Sequence, residues 1–475
     1  MTGVDAGSCP RPASMLFRSN VSDSTSRALG RPGWEIGLSI AILLAGLVWA
    51  SWCAMLPQLG VNPASRFATM EALVEHGEWS IDNASLLDNT IDKVQWEGRF
   101  YSSKPPLMAA IGAPVYRLVS DWYDVRFSTD MYRTASLMRL PLAVLPWWLG
   151  CVFLFVALGY AAQSPSVRVW GLASWTLASL STAYAADLNN HTWAVSAMMA
   201  CLALLAPIAV WPERRTSVVR ALLAGGAAGT VVCFDLGAVP IMGMLGLIVT
   251  WRWLGERNLT ALAAAVVGAS LLPAVQATIQ YSIVGDIVPF YLKPEAYQYE
   301  GSYWARVSGF DALSEPKAVY LFHSTIGHHG LFSHSPWLLV ALPCLLSGWR
   351  GVSGGSATGP WWQRAHQQFM TTPHVALRLG ALFSVTFIVL YYTFKSNNYG
   401  GLCVGMRWFM VTQPVLALAA VHHVEQRRLM ERAPELLAAL TTMGAIVCLW
   451  GTVSVWGEGL IFVIFRGLGM GSING

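Results

Sequence analysis

The chain has 475 residues, 55% hydrophobic and 12% charged, with a mean hydropathy of +0.48 and a formal net charge of +4. Soluble domains carry about 25% charged residues, so the composition excludes an ordinary soluble globule and points to a polytopic all-α membrane protein. The small positive charge sits in short connections, where it reports topology and gives no sign of a nucleic-acid partner.

Residues 1–35 are rich in Ser, Arg, Gly and Pro and lack apolar periodicity. They are expected to form a disordered tail, held in the cytoplasm by Arg11, Arg18, Arg27 and Arg31. The first span covers 36–56, and an outer loop, 57–136, follows it. That loop contains the longest polar run of the chain, residues 66–107, with acids (Asp82, Asp88, Asp92, Glu97), bases (Arg66, Lys93, Arg99, Lys104) and aromatics (Trp79, Trp96, Tyr101). Asn62-Pro63 suits a helix start. Phe67, Met70, Leu73 and Val74 recur at helical spacing opposite Glu71, Glu75 and His76, and Gly77 suits a stop. The pattern predicts a short amphipathic helix lying on the membrane. Residues 94–96 and 99–101 flank Glu97-Gly98, which predicts a small hairpin.

The run 108–119 has about a dozen apolar residues, too few for a crossing. Later spans are expected at 137–160, 169–186, 192–211, 218–234, 236–253, 259–284, 335–349, 377–394, 408–423 and 435–455. If 108–119 stays at the interface, four basic connections fall in the cytoplasm: Arg214/Arg215/Arg220, Arg252/Arg257, Arg350/Arg364 and Arg427/Arg428/Arg432. If it crosses, all four fall outside. The positive-inside rule selects the first case. The expectation is a transmembrane domain over 36–455 with about eleven transmembrane helices. A second large outer loop spans 285–334, and a short outer tail covers 456–475.

This parity gathers most of the remaining polar residues on the extracytoplasmic face. Ionisable groups at membrane depth are costly and suggest function. Asp187, beside Asn190 and His191, and Asp92 in the loop are the candidate catalytic acids; capping of the next helix is the plainer reading of Asp187 and of Asp235. Lys104, Arg139 and Arg407 can hold a phosphate, although snorkelling to headgroups accounts equally for such residues. The segment 286–335 is crowded with aromatics, which suit a sugar, a polyprenyl chain or a membrane-interface belt. His328 and His329 lie there between Gly327 and Gly330, and Asn398-Tyr399 occupies a tight turn ahead of Arg407. No carboxylate lies among the histidines and no Cys-x-x-Cys occurs, so no metal site is expected. Six of the eight cysteines (Cys53, Cys151, Cys201, Cys233, Cys344, Cys448) lie in apolar runs and read as buried hydrophobes. Cys9 and Cys403, in tail and loop, suggest no pair.

Several of these residues together resemble a known family. An outer first loop with an Arg-aromatic helix (Arg66-Phe67), Gly77-Glu78-Trp79, a hairpin and then Tyr101-x-x-Lys104-Pro105-Pro106-Leu107 is similar to the GT-C glycosyltransferases. The closest types are the protein O-mannosyltransferases and lipid A aminoarabinose transferases. Arg139-Leu140-Pro141 and Arg407-Trp408-Phe409 with Pro414 continue the likeness. The resemblance implies a polyprenyl-phosphate-linked sugar donor, an extracytoplasmic glycan, lipid or protein acceptor, and membrane lipids as surroundings. It also implies an integral membrane location with the outer face catalytic, as in a bacterial inner membrane. Lys104, with Arg139 or Arg407, would hold the lipid phosphate, and Tyr101, Asn190, His191, His328, His329, Asn398 and Tyr399 would line the substrate site. No cofactor is called for, and a divalent metal is left open. The family's acid pair falls here on Pro63 and Ala64, and the acid before Lys-Pro-Pro on Ser103, so Asp92 or Asp187 would have to stand in. Two other readings remain: a lipid-linked glycan transporter, and a catalytically inactive relative that binds glycolipid.

Overall fold

The computed structural model describes residues 31–210, 216–353, 360 and 373–469. Most of the expected disordered tail and the basic pair Arg214/Arg215 lie outside the described residues. The chain is a helical membrane protein. Five of its described helical stretches are long and apolar enough to cross a bilayer: Gly33–Ala54, Met131–Ala161, Leu236–Gly255, Leu259–Val284 and Pro434–Val453.

Helix α1 (Gly33–Ala54) leads to α2 (Val61–Glu71), the hairpin β1 (Lys93–Trp96) and β2 (Arg99–Ser102), and α3 (Leu107–Tyr123). Then α4 (Met131–Arg139) runs through a π-helical turn into α5 (Leu145–Ala161), so this helix begins six residues ahead of the expected span. Helix α6 (Pro165–Ala178) is followed by α7 (Asn190–Val210), α8 (Val218–Phe234), α9 (Val239–Gly255) and α10 (Leu259–Val284). After a run of 3-10 turns come α11 (Lys317–Thr325), α12 (Ala341–Ser353), α13 (Pro373–Lys395), α14 (Gln413–Arg427), α15 (Pro434–Val453) and α16 (Leu460–Gly467). Helix α16 lies in the stretch read as a tail.

Helices α8 and α10 touch backbone to backbone. A Cβ at Gly225 would lie 2.0 Å from the Ala265 carbonyl oxygen, and one at Gly268 2.2 Å from that of Leu222. Small residues permit this approach, as is usual between membrane helices. The outer surface of α10 exposes Val266, Val267, Leu271 and Val275, as a lipid-facing helix does. On α8 the close packing fixes the C-terminal end, Phe234-Asp235.

The first loop is ordered. The hairpin pairs Val94 with Tyr101 and Trp96 with Arg99, and Glu97 (φ 50°) and Gly98 (φ 80°) both adopt the left-handed region that a two-residue type I′ turn requires. Helix α2 corrects one expectation. Residues 62–71 are all buried, so α2 does not lie on the membrane. It is walled in by α3 and the hairpin, with Ser65 Oγ donating to the Asp92 carbonyl at 2.6 Å and meeting Ser102 Oγ at 2.6 Å. Nor is Asn62 the cap. The helix begins one residue earlier, and the Asn62 amide reaches Asp92 and Arg66 instead. A π-helical turn carries α2 on to Gly77, whose φ of 70° ends it as expected.

The second outer segment folds over the first. Phe290 packs on Tyr101 with centroids 5.4 Å apart, Tyr299 meets Phe100 edge-on at 5.2 Å, and Trp304 Nε1 donates to the Ile91 carbonyl at 2.9 Å.

If the topology is as the charges predict, single cysteines at the exposed positions Ser85 and Arg428 will be labelled by an impermeant maleimide from opposite sides of sealed vesicles. Labelling from one side would overturn it.

Candidate active site

Four parts of the chain bring polar side chains to one cavity of about 1030 Å³. The first loop contributes Asn62, Arg66, Asp92 and Lys104; the start of α7 contributes Asn190 and His191; the end of α8 contributes Asp235; and the stretch 398–408 contributes Asn398 and Arg407. Tyr291, Tyr297 and Trp304 from the second outer segment form an aromatic wall, with Tyr392 of α13 and Trp456 completing it.

Lys104 Nζ pairs with Asp92 Oδ2 at 2.9 Å. Asp92 also accepts from Asn62 Nδ2 at 3.2 Å. Burial pushes the Lys104 ammonium down to about 8; Asp92 works against that and Arg66 adds to it. Arg66 is held by neutral partners: the Asn62 carbonyl at 3.1 Å, the Asn62 side-chain oxygen, and Asn190 Oδ1 at 2.6 Å. Burial pulls its guanidinium down to about 10. Arg407 opens a 3-10 turn, Arg407–Thr412, beneath two glycines in the left-handed region. Gly400 is needed there: its φ is +95°, and a Cβ would stand 3.3 Å from Arg407 Cγ. The Arg407 guanidinium lies 4.9 Å from the centroid of Trp456, and its buried Nε has no hydrogen-bond partner among the described residues. Two guanidiniums therefore line the cavity with no ion pair to a carboxylate among the described residues.

At the junction of α7 and α8 two neighbouring contacts form. Asn190 Nδ2 donates to the Phe234 carbonyl at 2.7 Å, and His191 Nδ1 lies 2.6 Å from Asp235 Oδ2. Asp235 Oδ1 also accepts from Gly237 N at 2.9 Å, the capping role read from its sequence.

Of the residues singled out from sequence, Asp92, Lys104, Asn190, His191, Asn398 and Arg407 share the cavity. Others do not reach it. Arg139 and Asp187 form a buried ion pair, Nε to Oδ1 at 3.0 Å. Arg139 also donates to the Ala54 and Leu56 carbonyls, each at 3.1 Å, while Asp187 accepts from Leu188 N at 2.8 Å and from the Trp456 indole. Asp187 does not cap α7; Asn189 Oδ1 does, accepting from Thr192 N at 2.8 Å. His328, His329 and Tyr399 form a buried aromatic pillar behind Arg407, with His329 stacked on Tyr399 at 4.9 Å and Tyr399 on Tyr320 at 4.7 Å. Tyr101 faces a small second pocket of about 20 Å³ on the far side of Arg66 and Lys104. Among the described residues, no three His, Cys, Asp or Glu side chains are placed to hold a metal ion.

Sequence reasoning passed over Arg66 and Trp456 as site residues, weighed Asp235 between a functional acid and a cap, and read Tyr297 and Trp304 only as part of an aromatic segment suited to a sugar, a polyprenyl chain or an interface belt. Arg66 carried a signal, the Arg-aromatic pair in the first loop. Trp456 carried none.

The sequence matches no family model and no curated protein. Among solved structures the chain is similar to ArnT from Cupriavidus metallidurans bound to undecaprenyl phosphate, with a TM-score of 0.50 and 15% identity over 86% of this chain and 63% of that one. The chain thus spans somewhat under two thirds of the length of ArnT. It is also similar to the oligosaccharyltransferase of Archaeoglobus fulgidus in the apo form, with a TM-score of 0.47 and 12% identity over 90% of this chain and 57% of that one. The likeness to ArnT identifies the fold as GT-C, in agreement with the first-loop motif.

The Arg139–Asp187 pair gives a stability prediction. Arg139→Ala leaves a buried carboxylate uncompensated and should cost about 3–5 kcal/mol. Thermal unfolding in detergent will show a lowered midpoint; an unchanged midpoint would refute it.

Proposed function

We propose that this protein is a GT-C glycosyltransferase that moves a sugar from a polyprenyl-phosphate donor to a glycan, lipid or protein acceptor outside the cytoplasm. In a bacterium this would place it in the inner membrane with the site facing outward. The observation that carries the reading is the pair Arg66 and Arg407, two guanidiniums in one cavity held by amide oxygens and an indole face and not by carboxylates. A guanidinium in a cavity without a carboxylate in direct contact is poised to pair with an anion, and a phosphate would supply that contact. Arginine matches phosphate oxygens bidentately, and Lys104 adds a point charge.

The chemistry follows from where charge develops. As the bond between the anomeric carbon and the phosphate oxygen breaks, negative charge grows on the leaving polyprenyl phosphate. Fixed cations already in place stabilise that change without reorganising. Asp92 keeps Lys104 aimed at the cavity through their ion pair. Arg139 and Asp187 act one layer behind, tying the exit of α1 to the segment ahead of α7. The cavity volume suits a sugar together with part of an acceptor, and Tyr291, Tyr297 and Trp304 offer flat faces for sugar rings.

Purified protein in detergent should bind undecaprenyl phosphate and not undecaprenol; equal binding of the two would refute the reading. Lys104→Ala, Arg66→Ala and Arg407→Ala should each weaken binding about tenfold or more, the scale of one charge-assisted hydrogen bond. Lys104 must be charged to hold the phosphate, and burial brings its ammonium down to about 8. Affinity should therefore be full below that pH and fall as pH rises through it. Lys104→Ala should flatten the fall between pH 7 and pH 9. In proteoliposomes given a panel of undecaprenyl-phosphate-linked sugars and a cell-envelope extract as acceptor source, the protein should release undecaprenyl phosphate.

A further inference from the structure

The acids that the family pattern would use as base are replaced by Pro63, Ala64 and Ser103. The acids that the sequence offers as stand-ins are already engaged, Asp92 with Lys104 and Asn62, and Asp187 with Arg139, Leu188 N and Trp456; Asp311, also on the cavity wall, accepts from the Tyr303 hydroxyl at 2.8 Å. One other acid–base pair lines the cavity. His191 and Asp235 are each 5% exposed, and both face the cavity.

We infer that His191 is the general base that activates the acceptor, with Asp235 as its positioning residue. The inference rests on the glycosyltransferase reading above. Asp235 Oδ2 sits 2.6 Å from His191 Nδ1, which fixes the tautomer with the proton on Nδ1 and leaves Nε2 as an acceptor. Nε2 has no hydrogen-bond partner among the described residues, so it is open to an acceptor hydroxyl. Asp235 is itself held, its Oδ1 accepting from Gly237 N at 2.9 Å and its own N–H donating to the Val231 carbonyl at 2.8 Å.

The placement of the dyad matches the task. His191 follows Asn190, whose Oδ1 accepts from Arg66 at 2.6 Å. The base and the phosphate-holding cation are therefore attached to consecutive residues of one helix start, and adjacent Cα atoms lie about 3.8 Å apart. Trp193, two residues on, donates to the Leu142 carbonyl at 2.6 Å and packs on Phe234 at 5.0 Å, which pins this turn of α7.

The step balances. The acceptor O–H gives its proton to His191 Nε2 while its oxygen forms a bond to the anomeric carbon. The bond from that carbon to the phosphate oxygen breaks, and its electron pair leaves on polyprenyl phosphate. The histidine proton then passes to the released phosphate or to water, restoring the base.

The charged groups that bear on the ring are Asp235 from the end of α8, Arg66 from α2 and Arg407 from the 3-10 turn before α14. Tyr291 and Tyr392 face Asp235 from the second outer segment and α13. The base must be neutral, so transfer should rise with pH through the histidine titration. His191→Gln should bind undecaprenyl phosphate within about twofold of wild type, yet transfer about 100-fold more slowly and lose that acidic limb, as general-base deletions do. Asp235→Asn should slow transfer less and move the limb to lower pH, since a carboxylate that favoured the imidazolium is gone. His191→Ala should regain rate when imidazole is added to the medium. A His191→Gln protein that transfers at the wild-type rate with its limb intact overturns the inference and leaves the glycosyltransferase reading standing. Loss of rate together with loss of undecaprenyl phosphate binding, unrescued by imidazole, makes the dyad a structural support and also overturns it. If wild type consumes no donor in the panel, the inference falls with the reading it rests on.

Discussion

Two guanidiniums facing one another's field across a buried cavity are the constraint on which this structure depends. Arg66 and Arg407 repel, each disfavours the charge of the other, and neither forms an ion pair with a carboxylate among the described residues. Such an arrangement persists only when the surrounding fold holds both groups in place. Here α2 is enclosed by α3 and the hairpin, the second outer segment covers the hairpin in turn, and Arg407 sits beneath Gly400 against Trp456. The same packing that fixes the two guanidiniums therefore also sets the shape and charge of the cavity they line.

The supporting contacts are of a different kind from the site contacts. The Arg139–Asp187 pair is tied on both sides: two backbone carbonyls accept from Arg139, and a backbone N–H and an indole donate to Asp187. The α8–α10 contact is made by backbone against small residues. Both are rigid, and both end at the cavity: one beside α7, the other at Asp235. The wall they do not support is aromatic and comes from the second outer segment, built of short 3-10 turns.

Much of this was legible in the sequence because a membrane chain sorts its polar residues. Counting basic connections put Asp92, Lys104, His191, Asn398 and Arg407 on one face, and they share one cavity. Periodicity and turn chemistry were enough for the hairpin and for the end of α2 at Gly77. What failed was anything set by partners distant in the chain. Arg139 and Asp187 looked functional because a charge at membrane depth is costly, and nothing local shows that the two satisfy each other across 48 positions. The burial of α2 comes from the hairpin and α3 closing over it, a tertiary contact that local periodicity does not reveal, so its polar side looked solvated. His328 and His329 looked like ligand groups until Tyr320, Tyr399 and Phe462 enclosed them.

Trp456 touches Asp187 with its indole nitrogen and Arg407 with its ring face. It follows Lys104 by about 350 residues, so at ordinary rates of synthesis the first loop would wait roughly 20–70 s for this side chain. Until α15 is inserted, Arg407 lacks its aromatic seat and Asp187 lacks one of its donors. The cavity is thus completed only when both ends of the chain are in place, the first loop from one and Trp456 from the other.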